Sequence, residues 1–456
     1  MWVRVQAGLC LLATIVTLGV TLLALSGVRS SLSVIGNRTA PDVVNTSGVY
    51  FALNDMDAQV ANILLVADAP NLGVTRQQSL DLYEQDRQTV DKDLQQATVL
   101  TGNSPTTQPQ IQAVIDGLGR YEALAAQAFL LEQQGPSSPG RPPAAALSAF
   151  RQATDLMHAT VLTAAARLIA VNTDQLNRTY RNRGTVISRG FWAVLLLGLA
   201  LLTALVVIQR YLVIHFNRLV NPALALAVLV ALVLVSLSGL TLRAEKNHLF
   251  VAKQQAFDSI VVLAQARSVS YDANADESRY LVDPARADQY QQAFLQKTQQ
   301  VVNLTGASIT TYDGQLADAV AAYRSHHGDL RFTGFLGSEF RNITFSGERA
   351  AAEQTLLTFQ AYQRDDRRIR SLAASGNLLE AIRFDTSYAP QDSNGAFTAY
   401  DKALTTVTQI NQRAFDRAIR DGRRQLAGWT VIPIVSCVAV ALLVVAGCRP
   451  RLAEYD

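Results

Sequence analysis

The sequence predicts an all-α membrane protein with four transmembrane helices and two tandem, duplicated, extracytoplasmic four-helix-bundle-like domains. Three observations predict it. The 456 residues are 49% hydrophobic and only 17% charged, too apolar for an ordinary soluble chain and too polar for a bare membrane bundle. Four apolar runs reach the ~20 residues that cross a bilayer. Weakly similar segments also recur in the same order in the two halves of the chain.

The four runs are 7–28, 190–208, 219–242 and 427–447, and none contains Asp, Glu, Lys, Arg or His. Ion-coupled transporters usually bury ionisable groups in their spans, so transport by these helices alone is not expected. The first run exceeds the ~7–15 residues of a signal-peptide core and reads as an anchor, although Ala24-Leu25-Ser26 fits a small-x-small cleavage rule. Small residues at Ala223, Ala227 and Ala231 suit helix-on-helix packing of the spans.

Between the runs lie two large polar stretches, 29–189 and 243–426, while the loop 209–218 and the tail 448–456 are short. An even number of crossings puts both large domains on one side. Long domains translocate largely regardless of charge. The short segments are basic at their membrane edges, with Arg4, Arg210, Arg218, Arg449 and Arg451. The domains are therefore expected outside a cytoplasmic membrane, with the loop and tail inside. A net charge of +3 gives no case for nucleic acid as a partner, and only five of the forty basic residues are Lys, which with the abundant Ala hints at a GC-rich bacterial genome. Cys10, Cys437 and Cys448 all lie in or beside spans. The large domains thus hold together by packing without disulfides.

The repeats pair 25–32 with 237–249, "QQATVLTG" (95–102) with "TQQVVNLTG" (298–306), 120–135 with 361–376, and "LNRTYRNR" (176–183) with "FDRAIRDG" (415–422). Within each domain the pattern is helical. Val49, Leu53, Met56, Val60, Ile63 and Ala67 step by four and three, the spacing of a bundle seam, with Asn54, Asp55, Ala58, Asn62 and Leu65 mostly on the other side. Breakers at 68–73, 101–109 and 135–143 divide the first domain into about four long helices. The second divides near Asp283-Pro284, at the "LTGASITTYDG" region and at 388–395. Its extra segment 329–348 carries Phe332, Phe335, Leu336, Phe340 and Phe345, which either dip into the membrane interface or plug the base of the bundle.

Catalytic signatures are missing, and a non-enzyme without cofactors is expected. Of the five histidines, His158, His215, His248, His326 and His327, the His326-His327 pair has no Cys or carboxylate at metal-ligand spacing beside it, and there is no phosphate loop or nucleophile elbow. "ADESR" (275–279) and "RDDRRIR" (364–370) read as solvated helix faces. Against that plain reading, Arg364, Arg367, Arg368 and Arg370 are candidates to bind a carboxylate ligand or an acidic partner surface, and Asp272, Asp276, Glu277 and Asp283 give one outer tip an acidic face. Inside, Arg210, His215, Arg218, Arg449 and Arg451 are the candidate docking residues for a cytoplasmic partner.

Residues 367–418, with their order of helix, Gly turn and long amphipathic helix, resemble the ligand-binding bundles of chemoreceptors and sensor kinases, although the short loop 209–218 and tail 448–456 are not expected to hold the signalling domain of those receptors. The overall layout, with "VYFALNDMDAQVANILLVAD" (49–68), resembles the GlnX-type actinobacterial four-span membrane proteins. These are encoded beside an amino-acid-binding lipoprotein and a soluble serine/threonine kinase, protein kinase G. The resemblance implies a signal transducer in contact with membrane lipid, reporting amino-acid availability from an outer lipoprotein to an inner kinase. An envelope scaffold, or an auxiliary subunit of a transport system, is the alternative that the minimal inner segments suit.

Overall fold

The computed structural model describes residues 2–69, 72–101, 104–216 and 221–452. Among them there is no β-strand, only isolated bridges at Ser138–Arg141 and Asn303–Thr333. The helices follow as α1 (Trp2–Val34), α2 (Ala40–Val66), α3 (Arg76–Thr101), α4 (Gln108–Gln134), α5 (Ala144–Leu156) and α6 (Leu162–Phe216). In the second half come α7 (Pro222–Phe250), α8 (Asp258–Val282), α9 (Ala287–Val301), α10 (Tyr312–Ser325) and α11 (Gly334–Asn342). The chain closes with α12 (Glu348–Ala374), α13 (Leu378–Thr386), α14 (Ser393–Gln425) and α15 (Val431–Leu452). Short π-helical segments at Ile35–Thr39, Met157–Val161 and Val251–Phe257 join α1 to α2, α5 to α6 and α7 to α8 without a break.

The chain forms two compact units. One contains residues 1–38, 176–253 and 415–456; the other contains 39–175 and 254–414. Four helical stretches, Trp2–Val66, Ala144–Ile214, Pro222–Val282 and Val431–Arg449, are long and apolar enough to cross a membrane. The apolar window of each belongs to the first unit.

That unit has an apolar inside and an apolar outside. Leu201, Leu205, Ile208, Ala227, Ala231, Val440 and Val444 form its core with Cys10 and Cys448, while Leu9, Ile15, Leu23, Leu196 and Leu240 are exposed. Exposed large apolar side chains on this scale suit a lipid surround. Thr14 and Thr21 are buried, and each hydroxyl donates to the carbonyl four residues back, Cys10 and Thr17, at 2.8 Å. Asn221 caps α7 by accepting from the Ala223 N–H at 3.1 Å, and its amide donates to the Gly447 carbonyl of α15 at 2.9 Å. A β-carbon at Gly190 would meet that of Ala24 at 2.9 Å, so glycine there permits the close approach of α6 to α1.

In the second unit the first half is a plain sequence of four long helices, α2, α3, α4 and α5–α6, broken where the turn residues require. The second half is more divided, because α10, α11 and α13 are inserted among its longer helices. Phe332, Leu336 and Phe340 sit in the core of the second half and Phe335 packs against it. These aromatics thus plug the bundle, which decides between the two readings of that segment.

The two halves are not separate bundles. The core built on α2–α6 also takes in Leu281, Val282, Ile369, Ala381, Ile382 and Phe384 from the second half. Every seam position from Val49 to Ala67 is buried, as the spacing predicts, and so is the opposite side: from Ala52 to Val66 every residue except Asp55 is buried. The reason is position. One face of α2 packs on α3 and the other on α8.

Candidate functional site

Burying α2 all round places its polar residues inside the unit, where they must find partners. Asp57 is fully buried and lies against Arg279 of α8, itself 1% exposed. Arg279 reaches Asp57 at 2.6 Å, Asp272 at 3.0 Å and Asp276 at 2.5 Å. Lys297 of α9 closes the other side, 2.8 Å from Asp272 and 2.5 Å from Asp276. The α8 part follows from helical spacing, because 272, 276 and 279 recur at four and three on one face.

Neutral groups complete the site. Tyr121 of α4 donates its hydroxyl to Asp57 at 3.1 Å, and Thr154 of α5 donates to it at 3.2 Å. His158 lies 3.6 Å from Asp272. Burial pushes the His158 imidazole below its ordinary value, with Arg279 and Lys297 adding to that effect and Asp272 opposing it. Burial alone would raise the Asp272 carboxyl, yet Lys297, His158 and Arg279 together hold it well below the usual range. Three acidic side chains thus face Arg279 and Lys297, with His158 beside Asp272. Among the described residues no group of His, Cys, Asp or Glu is arranged to hold a metal ion, and the centre of this one is filled by Arg279 and Lys297.

Further polar links run along the same seam. Arg151 of α5 grips Asp283 through two nitrogens, one at 2.7 Å, and Arg286 pairs with Asp155 at 2.9 Å. Ser278 lies between Asn62 of α2 (2.8 Å) and Asp385 of α13 (2.9 Å). Arg267 pairs with Asp401 at 2.6 Å and stacks over the Phe51 ring, 4.1 Å from its centroid. Two clefts of about 180 and 210 Å³ flank the crossing of α2 and α8 and share Ser47, Ala264 and Ser268 as a thin wall.

The outer acidic candidates Asp272, Asp276, Glu277 and Asp283 do not make an exposed face. All four are buried, the first three by helix packing and Asp283 under Arg151. The reading of "ADESR" as a solvated face fails for the same reason: α8 has no free side, because α2, α9, α11 and α13 surround it. In "RDDRRIR" the expectation holds in part. Arg364, Arg367 and Arg368 are exposed, Arg367 pairs with Asp313 at 2.9 Å, and Arg368 stacks over Phe384. Asp366 and Ile369 turn inward.

Of the inner candidates, Arg210 and Arg449 are exposed on α6 and α15. Arg218, and the side chains of His215 and Arg451, lie outside the described residues. Sequence reasoning missed Asp57, Tyr121, Thr154, Arg279 and Lys297 as members of one site. A usable signal existed in Asp57, an acid beside the apolar seam of α2.

Against known proteins, residues 31–181 match the family described as actinobacterial sensor domain, a stretch from the end of α1 into α6 that takes in the whole first half of the polar unit. No curated protein and no solved structure matches the chain. The match over residues 31–181 supports a sensor-type actinobacterial protein, and the span-capable helices are compatible with a bacterial membrane.

Proposed function

We propose that the protein is a transmembrane signal transducer, with its polar unit outside the bacterial cytoplasmic membrane. It relays amino-acid availability, presented by a binding lipoprotein docked on that unit, to a separate cytoplasmic serine/threonine kinase. The observation that carries the reading is the sensor-domain match on a unit whose central helices continue unbroken into apolar spans. Helix α6 alone runs 55 residues from Leu162 to Phe216. A partner that shifts α2 against α8 displaces helices that are rigid along their length, and a small displacement is what such helices can carry. The chain is not expected to catalyse a reaction.

The lining of the clefts supports presentation by a partner over direct capture of a free amino acid. The smaller cleft is lined by Ser47, Tyr50, Gln265, Gln300 and apolar groups with no charged side chain. Arg267 in the larger one is already held by Asp401. A zwitterion would have to shed its water in either without a free counter-charge.

The test is topology followed by capture. Single cysteines at Ser138, Ser375 and Arg210, in a chain without the native three, are labelled in intact cells by a membrane-impermeant maleimide. Labelling of Ser138→Cys and Ser375→Cys but not Arg210→Cys is expected. The inverse pattern overturns the reading. With the topology settled, crosslinking from Arg210→Cys should capture a kinase; function that survives scrambling of loop 209–218 with its charge kept would favour an envelope scaffold instead.

A further inference from the structure

The polar unit holds more buried acid than buried base. Around the seam, Asp57, Asp272, Asp276, Glu277, Asp366 and Asp385 are all buried. Arg279, Lys297 and Arg370 are the cations that face them. An unmatched buried carboxylate is neutralised by taking up a proton when no counter-ion reaches it.

The hydrogen bonds show where one such proton sits. Ser278 has a single hydroxyl hydrogen, yet its oxygen is within bonding distance of two acceptors, Asn62 Oδ1 at 2.8 Å and Asp385 Oδ2 at 2.9 Å. The Asn62 amide nitrogen is engaged with Gln59 at 3.4 Å, which keeps Oδ1 toward Ser278. Both short contacts are satisfied when Asp385 is protonated. The carboxyl then donates to Ser278, and Ser278 donates to Asn62. The chain of bonds joins α13 to α8 to α2 across the junction of the two halves. Nearby, Glu277 accepts from Asn274 at 2.9 Å, while its Oε1 is buried with no hydrogen-bond partner among the described residues.

We propose that protons are a ligand of the polar unit: Asp385, with Asp366 and Glu277 beside it, binds a proton that holds α13, α8 and α2 together, and its release loosens that seam. When Asp385 loses its proton to water, the Ser278 hydrogen turns to the new carboxylate and the bond to Asn62 is lost. The protein thereby responds to the pH of the compartment that bathes this unit. Such a response goes beyond docking of a partner and does not depend on it.

The surrounding charges bear on the direction. Burial pushes Asp385 up to about 7, with Ser278 opposing and Asp366 reinforcing the shift. Burial likewise takes Asp366 up to about 7 in spite of Arg370, with Asp313 of α10 and Asp276 adding to the rise. Glu277 is raised well above its ordinary value by burial, then by Asp366 and Asp385. Tyr362 of α12 is raised as well and stays neutral throughout. Tyr388, raised chiefly by burial, feels Asp385 together with Asp55 and Asp86, while Asp57, Asp272 and Asp276 of the adjoining site are paired with Arg279 and Lys297. A carboxyl whose value is raised in the folded state stabilises that state fully below its unfolded value, and the contribution is lost as pH rises through about 7.

The experiment uses the full chain in lipid nanodiscs with no partner present. The unfolding midpoint of the wild type is expected to fall by several degrees between about pH 5 and about pH 8. Asp385→Asn, whose amide donates to Ser278 at every pH, is expected to reduce that fall and to exceed the wild type at the alkaline end. An Asp385→Asn variant that falls as steeply as the wild type overturns the proposal. Should the variant not fold, infrared spectra of the wild type carrying carboxyl-labelled aspartate decide. A protonated-carboxyl band present at about pH 5 and lost by about pH 8 supports the proposal. Absence of that band at the acid end overturns it. Neither result touches the docking reading, since no lipoprotein or kinase takes part.

Discussion

Ion pairs occur in two settings in this protein, and the contrast separates structure from decoration. Arg279 meets Asp57, Asp272 and Asp276 in a site closed to water, whereas Arg87 meets Glu84 and Asp91 at 2.7 and 3.0 Å on the open side of α3. The chemical types are the same. In the interior each charge has lost its water and depends on its neighbours; on α3 each has water as an alternative partner. Burial, not the number of pairs, therefore sets what each is worth.

The largest effect should come from breaking the buried site at its centre. Arg279→Met leaves three carboxylates facing only Lys297, and breaking a buried pair by removing one partner typically costs ~3–5 kcal/mol. Chemical unfolding of the full chain in nanodiscs should show the loss. Adding Asp57→Asn to Arg279→Met should recover part of it, because the second change removes a charge that the first left stranded. Additive losses would mean that the two side chains do not act as one unit.

Much of the fold was legible in the sequence, and the unread part has a definite cause. Periodicity found the seam of α2 from Val49 to Ala67, and Gly, Pro and Asn clusters found the turns after α2, α3 and α4, because these signals are local. The far face of α2 was read as a lesser side because its partner, α8, begins only at Asp258. Asp57 and Arg279 are 222 positions apart, and no window that detects a helix can see such a pairing. "ADESR" therefore looked like solvated charge although it is the least exposed stretch of α8. In the apolar helical stretches, by contrast, the long runs free of charge were visible directly in the residues.

A smaller effect is expected at the edge of the seam, between the two settings. Arg151 is partly exposed while its partner Asp283 is buried. Arg151→Met strands a carboxylate, but Tyr290 still lies 3.4 Å from it and water can reach the gap. The cost should be about 1–3 kcal/mol, the penalty of a buried polar group left without its partner, and unfolding at fixed pH measures it. Acid should reveal the same order. Asp272 is held below its ordinary value, so its contribution is present above about 4 and lost as pH falls toward its folded value. Lys297→Met should raise the pH at which acid unfolding sets in. If the onset does not move, Lys297 is not what holds Asp272 charged.

The smallest effect belongs to α3. Arg87 holds Glu84 down to about 2, its hydrogen bond being the main cause. That depression says little about stability, because both side chains stay in contact with solvent and salt screens them. Arg87→Ala should cost about 0.2–1 kcal/mol at low ionic strength and less as salt is added. The Arg279→Met loss should barely respond to salt, since ions do not enter the site. Unfolding of both variants at low and high salt therefore tests the contrast. A salt-insensitive Arg87→Ala, or a loss at Arg279→Met that salt removes, would mean that burial is not what divides the two settings.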